Sequence, residues 1–135
     1  MITTRDVYVA GAAVHPFGKH HDLSAADLGY RAVSDLVAAC GVEPDRIDIG
    51  FGGSVYGGSL LAQRVLQRIG VSGPPVYTVE NACASGASAV HLAWQAVTSG
   101  AADCAVAFGA ENLSAFGGGT LPLSTADVEI SQGMV

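Results

Sequence analysis

The sequence predicts an α/β fold built on a largely parallel sheet, and three observations predict it. Short apolar runs alternate with segments of helical periodicity in the order strand, helix, strand, helix, strand, helix, strand. The last of these runs, Asp103 to Gly109, is almost continuously apolar, as a parallel strand buried on both faces requires. The 135 residues are 50% hydrophobic and only 13% charged, against about 25% charged in an ordinary soluble domain. That is the length of one domain with a real core. So few charges imply a large interface, with a second copy or with a missing part of the same fold.

Val7-Tyr8-Val9-Ala10-Gly11 reads as a first short strand. A loop from Val14 to Asp22 follows, carrying Pro16, Gly18 and the three histidines His15, His20 and His21. Ser24, with Asp27 three residues on, is an N-cap signal. The helix it opens carries Leu28, Ala32, Leu36 and Cys40 at a four-residue spacing, and Gly41 with Pro44 supplies the stop. Ile47 to Val55 is the second strand, Leu60 to Ile69 the second helix, and Val76 to Val79 the third strand. The second helix places Leu61, Val65, Leu66 and Ile69 on one face. The third helix, Ala84 to Ser99, presents Ala87, Val90, Trp94 and Val97 on one face and Gly86, Ala89, Ala93 and Ala96 on another. Apolar nearly all round, it is expected to be a buried central helix. From Glu111 to Val135 the periodicity is lost, and residues 116–135 read as the start of a loop region, cut or continued by another polypeptide.

The net charge of −6 excludes a nucleic-acid binder, because no basic stripe is available to neutralise phosphates. Three cysteines at positions 40, 83 and 104 form neither a disulfide framework nor a CxxC site. They suit the reducing cytoplasm. Met1 to Asp6 lacks the basic and apolar regions of a signal peptide, and His91 and Gln95 interrupt the longest low-charge stretch, so no membrane segment is expected.

Cys83 is the most informative residue. It lies in Val79-Glu80-Asn81-Ala82-Cys83-Ala84-Ser85-Gly86, where the third strand gives way to the third helix. A cysteine at a first helical turn meets unpaired backbone N–H groups and the positive end of the helix dipole, which favour the nucleophilic thiolate. Ala84, Ser85 and Gly86 leave room for a substrate beside the sulfur, at the C-terminal strand edge where α/β sheets place their sites. A small buried hydrophobe at a tight junction is the competing reading of the same position.

The segment from Val79 to Ala89 resembles the nucleophile motif of the thiolase superfamily, nearest the sterol-carrier-protein-like and lipid-transfer-protein thiolases, the acetyl-CoA acetyltransferase-like group. Other segments agree in order: Tyr8 to Gly11 with His15-Pro16-Phe17-Gly18, Gly52 to Gly58 with Gln63 and Arg64, and Gly109-Ala110-Glu111-Asn112-Leu113-Ser114. The resemblance implies that residues 1–135 are the N-terminal, nucleophile-bearing half of a thiolase-like fold, incomplete without a C-terminal half. It implies that Cys83 is acylated by a (β-keto)acyl-CoA, in thiolysis or Claisen condensation, with its backbone N–H an oxyanion donor. It also implies a histidine in a Gly-His-Pro motif and a second cysteine in Cys-Gly-Gly-Gly, neither of which this sequence contains. A second polypeptide or the missing half would supply them, in a homo- or hetero-oligomer. Coenzyme A thioesters enter as substrate, and no bound cofactor or metal is expected.

The remaining residues are weaker. His91 lies eight residues beyond Cys83, or about 12 Å along a helix axis, outside hydrogen-bond reach. His15, His20 and His21 read as a solvated loop with an incomplete metal pattern. Cys40 and Cys104 read as core. The glycine pairs at 52–53 and 57–58 lack phosphate-loop spacing and instead suggest close backbone approach around a turn, and Gly117-Gly118-Gly119 suggests flexible loop. Asn81 is expected to fix the turn and Glu80 to reach an interface, while no direct catalytic role is assigned to Glu111 or Ser114. Two other functions remain open at this stage. One is a thiolase-like retro-aldol lyase acting on side-chain CoA thioesters with an OB-fold, zinc-ribbon partner. The other is a non-catalytic binding or structural subunit.

Overall fold

A computed structural model describes residues 5–116 of the chain. Helix α1 spans Ala25–Cys40, strand β1 Ile49–Gly53, helix α2 Leu61–Ile69, strand β2 Val76–Val79, helix α3 Ser85–Thr98 and strand β3 Ala105–Gly109. The sheet has the order β2-β1-β3 and both pairings are parallel, so β1 is central, with Phe51 opposite Tyr77 on one side and Ala107 on the other. Pro44–Arg46, Ala82–Ala84 and Leu113–Phe116 are single 3₁₀ turns. Residues 117–135, including the glycine triplet at 117–119, lie outside the described residues. No helix among the described residues is long and apolar enough to cross a membrane.

The sequence of β1, Ile-Gly-Phe-Gly-Gly, explains how helices reach both faces of the sheet. Alternate residues of a strand point to opposite sides. Side chains added at Gly50 and Gly52 would collide with Leu66 and Ala62 of α2, whereas one added at Gly53 would collide with the backbone of Ser85 and Gly86 in α3. The pair at 52–53 therefore admits close approach within the strand rather than around a turn, whereas Gly57 and Gly58 lie in the bend that follows it. The apolar core fills the α1–α2 side: Val33, Leu61, Val65 and Leu66 are buried there against Val106 and Phe108.

The helix signals hold. Ser24 caps α1 with a reciprocal box: the Asp27 N–H donates to Ser24 Oγ at 3.2 Å, and the Ser24 N–H donates to Asp27 Oδ2 at 2.9 Å. Gly41 and Gly70 end α1 and α2 in the left-handed conformation, at φ 64° and 97°. The Ser24 donors and then Arg68, 2.9 Å from Oδ1, hold the Asp27 carboxyl down at about 2. A depressed carboxylate stabilises the fold above its ordinary value and loses that contribution as pH falls through the folded one. Acid titration of stability is thus expected to show a loss between about pH 4 and pH 2. The loss is reduced in Ser24→Ala, which also costs about 0.5–2 kcal/mol at neutral pH, read by thermal melts.

Two expectations change, and a third is met on one face only. Residues 7–11 form no strand among the described residues, and Tyr8 and Val9 are 83% and 88% exposed. Apolar content supplies no ladder without a neighbouring strand, and Gly11 is seated against Cys40 and Leu36 of α1 instead. The expected stripe of α1 is rotated: Ala25, Gly29 and Val33 face the core, while Leu28, Ala32, Leu36 and Cys40 are half-buried, the first three lining a groove beside residues 9–18. The small-residue face of α3 packs on β1 and β3 through buried Ala89, but Ala87, Val90 and Trp94 on its other face are exposed. Within the described residues, α3 is covered on one side only.

Candidate active site

Parallel pairing brings the C-terminal ends of β1, β2 and β3 to one edge, and the loops leaving them meet there. The Ser54 N–H donates to the Val79 carbonyl at 3.0 Å and the Ala110 N–H to the Gly53 carbonyl at 3.1 Å, extending the ladder by one rung on each side of β1.

Beyond β2 the chain reverses at Ala82, whose φ of 46° is left-handed for a residue with a β-carbon. Hydrogen bonds hold that conformation. Glu80 Oε1 accepts the Ala82 N–H at 2.7 Å, and the Ser85 hydroxyl donates to the Ala82 carbonyl at 2.7 Å while accepting the Asn81 N–H at 2.8 Å. The Asn81 carbonyl accepts from the Ala84 N–H at 2.9 Å, and its side-chain amide donates to Ser88 Oγ at 2.8 Å. Asn81 thus fixes the turn as expected, and Glu80, which is exposed, also lends it one carboxylate oxygen.

Cys83 is the middle residue of this 3₁₀ turn and is exposed. It precedes the α-helix by two residues rather than sitting in its first turn, because the reversal at Ala82 delays helical geometry until Ser85. Among the described residues nothing buries Cys83, which runs against the buried-hydrophobe reading. Cys40 and Cys104 are half-buried, and burial, together with the Asp48 carboxylate, pushes the Cys104 thiol up. Asp48 is itself held low by the backbone N–H groups of Cys104 and Asp103.

The turn rests on glycines. Ser85 and Gly86 lie directly over Gly53, and Gly109 touches Gly86, backbone to backbone. Beside them stands a contact that sequence spacing did not reveal. Glu111, two residues past β3, accepts hydrogen bonds from the Ser54 hydroxyl at 2.9 Å, the Tyr56 N–H at 3.0 Å and the Val55 N–H. Ser54 is buried and its oxygen also accepts the Gly57 N–H at 2.9 Å. The neighbouring Asn112 donates to the carbonyls of His20, at 2.8 Å, and Leu23.

The histidines are not brought to Cys83 as a base. His91 stacks on Trp94 on the exposed side of α3, with ring centroids 5.7 Å apart. His15 and His20 are half-buried with centroids 5.2 Å apart, and Nε2 of His20 bonds the Pro16 carbonyl at 2.9 Å. The rest of residues 14–22, His21 included, is exposed, so the loop is solvated as expected apart from these two rings. No group of three or more histidine, cysteine or acidic side chains among the described residues is placed to hold a metal ion.

Comparison with known proteins bears on the family and the fold. The family described as "Thiolase, N-terminal domain" matches residues 7–123. The benzoylsuccinyl-CoA thiolase subunit BbsB of Thauera aromatica is 33% identical over 97% of this chain and 35% of its own length. Sterol carrier protein 2 of Gallus gallus is 33% identical over 84% of this chain and 21% of its own. An acetyl-CoA acetyltransferase from Syntrophomonas wolfei superposes with a TM-score of 0.67 at 28% identity, over 73% of this chain and 27% of that one. The Bacillus anthracis acetyl-CoA acetyltransferase has a TM-score of 0.75 over 93% of this chain and 33% of that one, at 21% identity, a likeness of fold. The chain thus spans about a third or less of the length of these relatives.

Proposed function

The chain belongs to the thiolase family, of which it carries the N-terminal domain, and we propose that Cys83 is the acyl-accepting nucleophile of an acyltransferase acting on coenzyme A thioesters. One observation carries this reading: the exposed thiol stands on a strained turn, held by hydrogen bonds, at the C-terminal edge of the parallel sheet. Strain held in place by its surroundings clusters at functional sites, where it aims a group that would otherwise relax away.

The chemistry follows from a thiolate at that edge. Sγ adds to the 3-keto carbonyl of a β-ketoacyl-CoA, and the C2–C3 bond breaks with its electron pair leaving on the enolate of the shorter acyl-CoA. A proton donor quenches the enolate, and the acyl group remains on Sγ as a thioester. The deprotonated thiol of free CoA adds to that thioester, releasing acyl-CoA and regenerating the thiolate. Condensation is the same path reversed. The Cys83 backbone N–H is free of other acceptors among the described residues and stabilises the oxyanion. The proton-moving histidine and second cysteine come from the C-terminal half or a second polypeptide. The word "subunit" in the name of the Thauera relative supports an assembly, and its substrate name puts an aryl keto thioester among those to try first. Three free cysteines support a reducing compartment, the cytoplasm.

The test is intact-mass measurement after incubation with acetyl-CoA and with aliphatic and aryl β-ketoacyl-CoA, followed by peptide mapping. The expected result is one acyl group on Cys83. No adduct in the presence of the C-terminal half, or one that persists in Cys83→Ala, would sink the proposal. Cleavage of a β-hydroxyacyl-CoA without free CoA would transfer the assignment to retro-aldol chemistry.

A further inference from the structure

We infer that Glu111 is a positioning residue for Cys83, acting through the loop that leaves β1; this rests on the nucleophile reading above. Glu111 makes no hydrogen bond to the nucleophile turn among the described residues. Its carboxylate gathers the Ser54 hydroxyl and the Val55 and Tyr56 N–H groups, three donors of one short segment some fifty-five residues away in sequence. Only an acceptor-rich carboxylate satisfies three converging donors, and charge-assisted hydrogen bonds are the stronger kind. Ser54 follows Gly53, and Gly53 is the floor under Ser85 and Gly86. The Ser54 N–H holds the end of β2 at Val79, from which the chain runs through Glu80, Asn81 and Ala82 to Cys83.

The three strand ends therefore form one clasp. Glu111 ties the β3 exit to the β1 exit, Ser54 ties the β1 exit to Val79, and the turn lies across the glycine floor between them. Without the carboxylate, two backbone N–H groups and a buried hydroxyl lose their acceptor, and the segment after Gly53 moves to find water. The floor shifts with it. A reacting sulfur is sensitive to such shifts, since misplacement by about 1 Å costs on the order of 10²-fold in rate. Glutamine keeps one carbonyl acceptor for the same donors, whereas alanine keeps none.

The experiment compares the full chain with its Glu111→Ala and Glu111→Gln variants, with the C-terminal half present. It follows single-turnover acylation of Cys83 by acetyl-CoA as a function of concentration. Site-resolved iodoacetamide labelling of half-buried Cys40 and Cys104 reports general loosening in parallel. Glu111→Ala is expected to lower the saturating acylation rate by roughly 10- to 100-fold with the half-saturating concentration within about twofold of the parent. Labelling of Cys40 and Cys104 stays unchanged, and Glu111→Gln recovers most of the rate. Parent-like acylation in Glu111→Ala overturns the inference and leaves the nucleophile reading intact. So does a glutamine variant no better than alanine, or a rate loss matched by faster labelling of Cys40 and Cys104. Absence of acylation in the parent chain overturns the nucleophile reading, and this inference with it.

Discussion

Cys83→Ser is expected to abolish acyl transfer while leaving the fold untouched. Serine keeps the size of the side chain and its place on the 3₁₀ turn, so nothing in the packing around Ala82 to Ala84 changes. The exposed position adds no burial penalty for the hydroxyl. What changes is the nucleophile. A thiolate is an intrinsically strong nucleophile, whereas an unassisted hydroxyl is a weak one and needs an adjacent general base. No described side chain hydrogen-bonds the Cys83 sulfur, His91 stacks on Trp94 and His20 bonds the Pro16 carbonyl, so within the described residues no base is set against a serine there. Rate losses on removing a nucleophile reach about 10⁶-fold in the best-studied hydrolase, and on the order of 10⁴-fold or more is expected for steady-state thiolysis. Circular dichroism and melting temperature should match the parent. Activity within tenfold of the parent would mean that the sulfur is not the acyl acceptor.

What the chain does locally was legible in its sequence. Ser24 with Asp27, Gly41 and Gly70 mark helix ends because capping is decided by neighbours a few residues apart. Val76 to Val79 was legible as a strand because two prolines precede it and a small-residue helix follows. The place of Cys83 between β2 and α3 was legible because a strand-to-helix junction with small residues is a local pattern. What escaped depends on contacts across the fold. Tyr8 to Gly11 reads as a strand, but pairing needs a partner that no spacing within the run can guarantee. The stripe of α1 was misjudged by one position, since Gly29, which lets Val65 and Phe108 approach, carries no hydrophobic signal of its own. Glu111 escaped for the same reason: its value lies in three donors more than fifty residues distant. Ala82 escaped because left-handed geometry is signalled by glycine or asparagine, and here hydrogen bonds impose it on alanine.

Gly53→Ala is expected to be the most damaging single methyl group that can be added to this sheet edge. Gly53 does not need glycine for its backbone, because it is a β1 residue paired with both Val79 and Gly109. The demand is space. A β-carbon there would lie within 3.0 Å of backbone atoms of Ser85 and Gly86, and backbone cannot swing aside as a side-chain tip can. Helix α3 must lift from the sheet, and the turn carrying Cys83 lifts with it. Overpacking of this kind costs about 1–3 kcal/mol, occasionally more. For a chain of this length that is a fall of roughly 3–12 °C in melting temperature. Acylation should fall further than stability explains, because the displaced atoms are those that aim the sulfur. Gly86→Ala provides the contrast. Its added carbon would meet Gly109 at an ordinary 3.7 Å, and alanine favours a helix over glycine by up to about 1 kcal/mol. Within this domain Gly86→Ala should be neutral to mildly stabilising. Equal melting temperatures for the two variants would show that the helix is not seated on Gly53, and the account of how the nucleophile turn is held would fail with it.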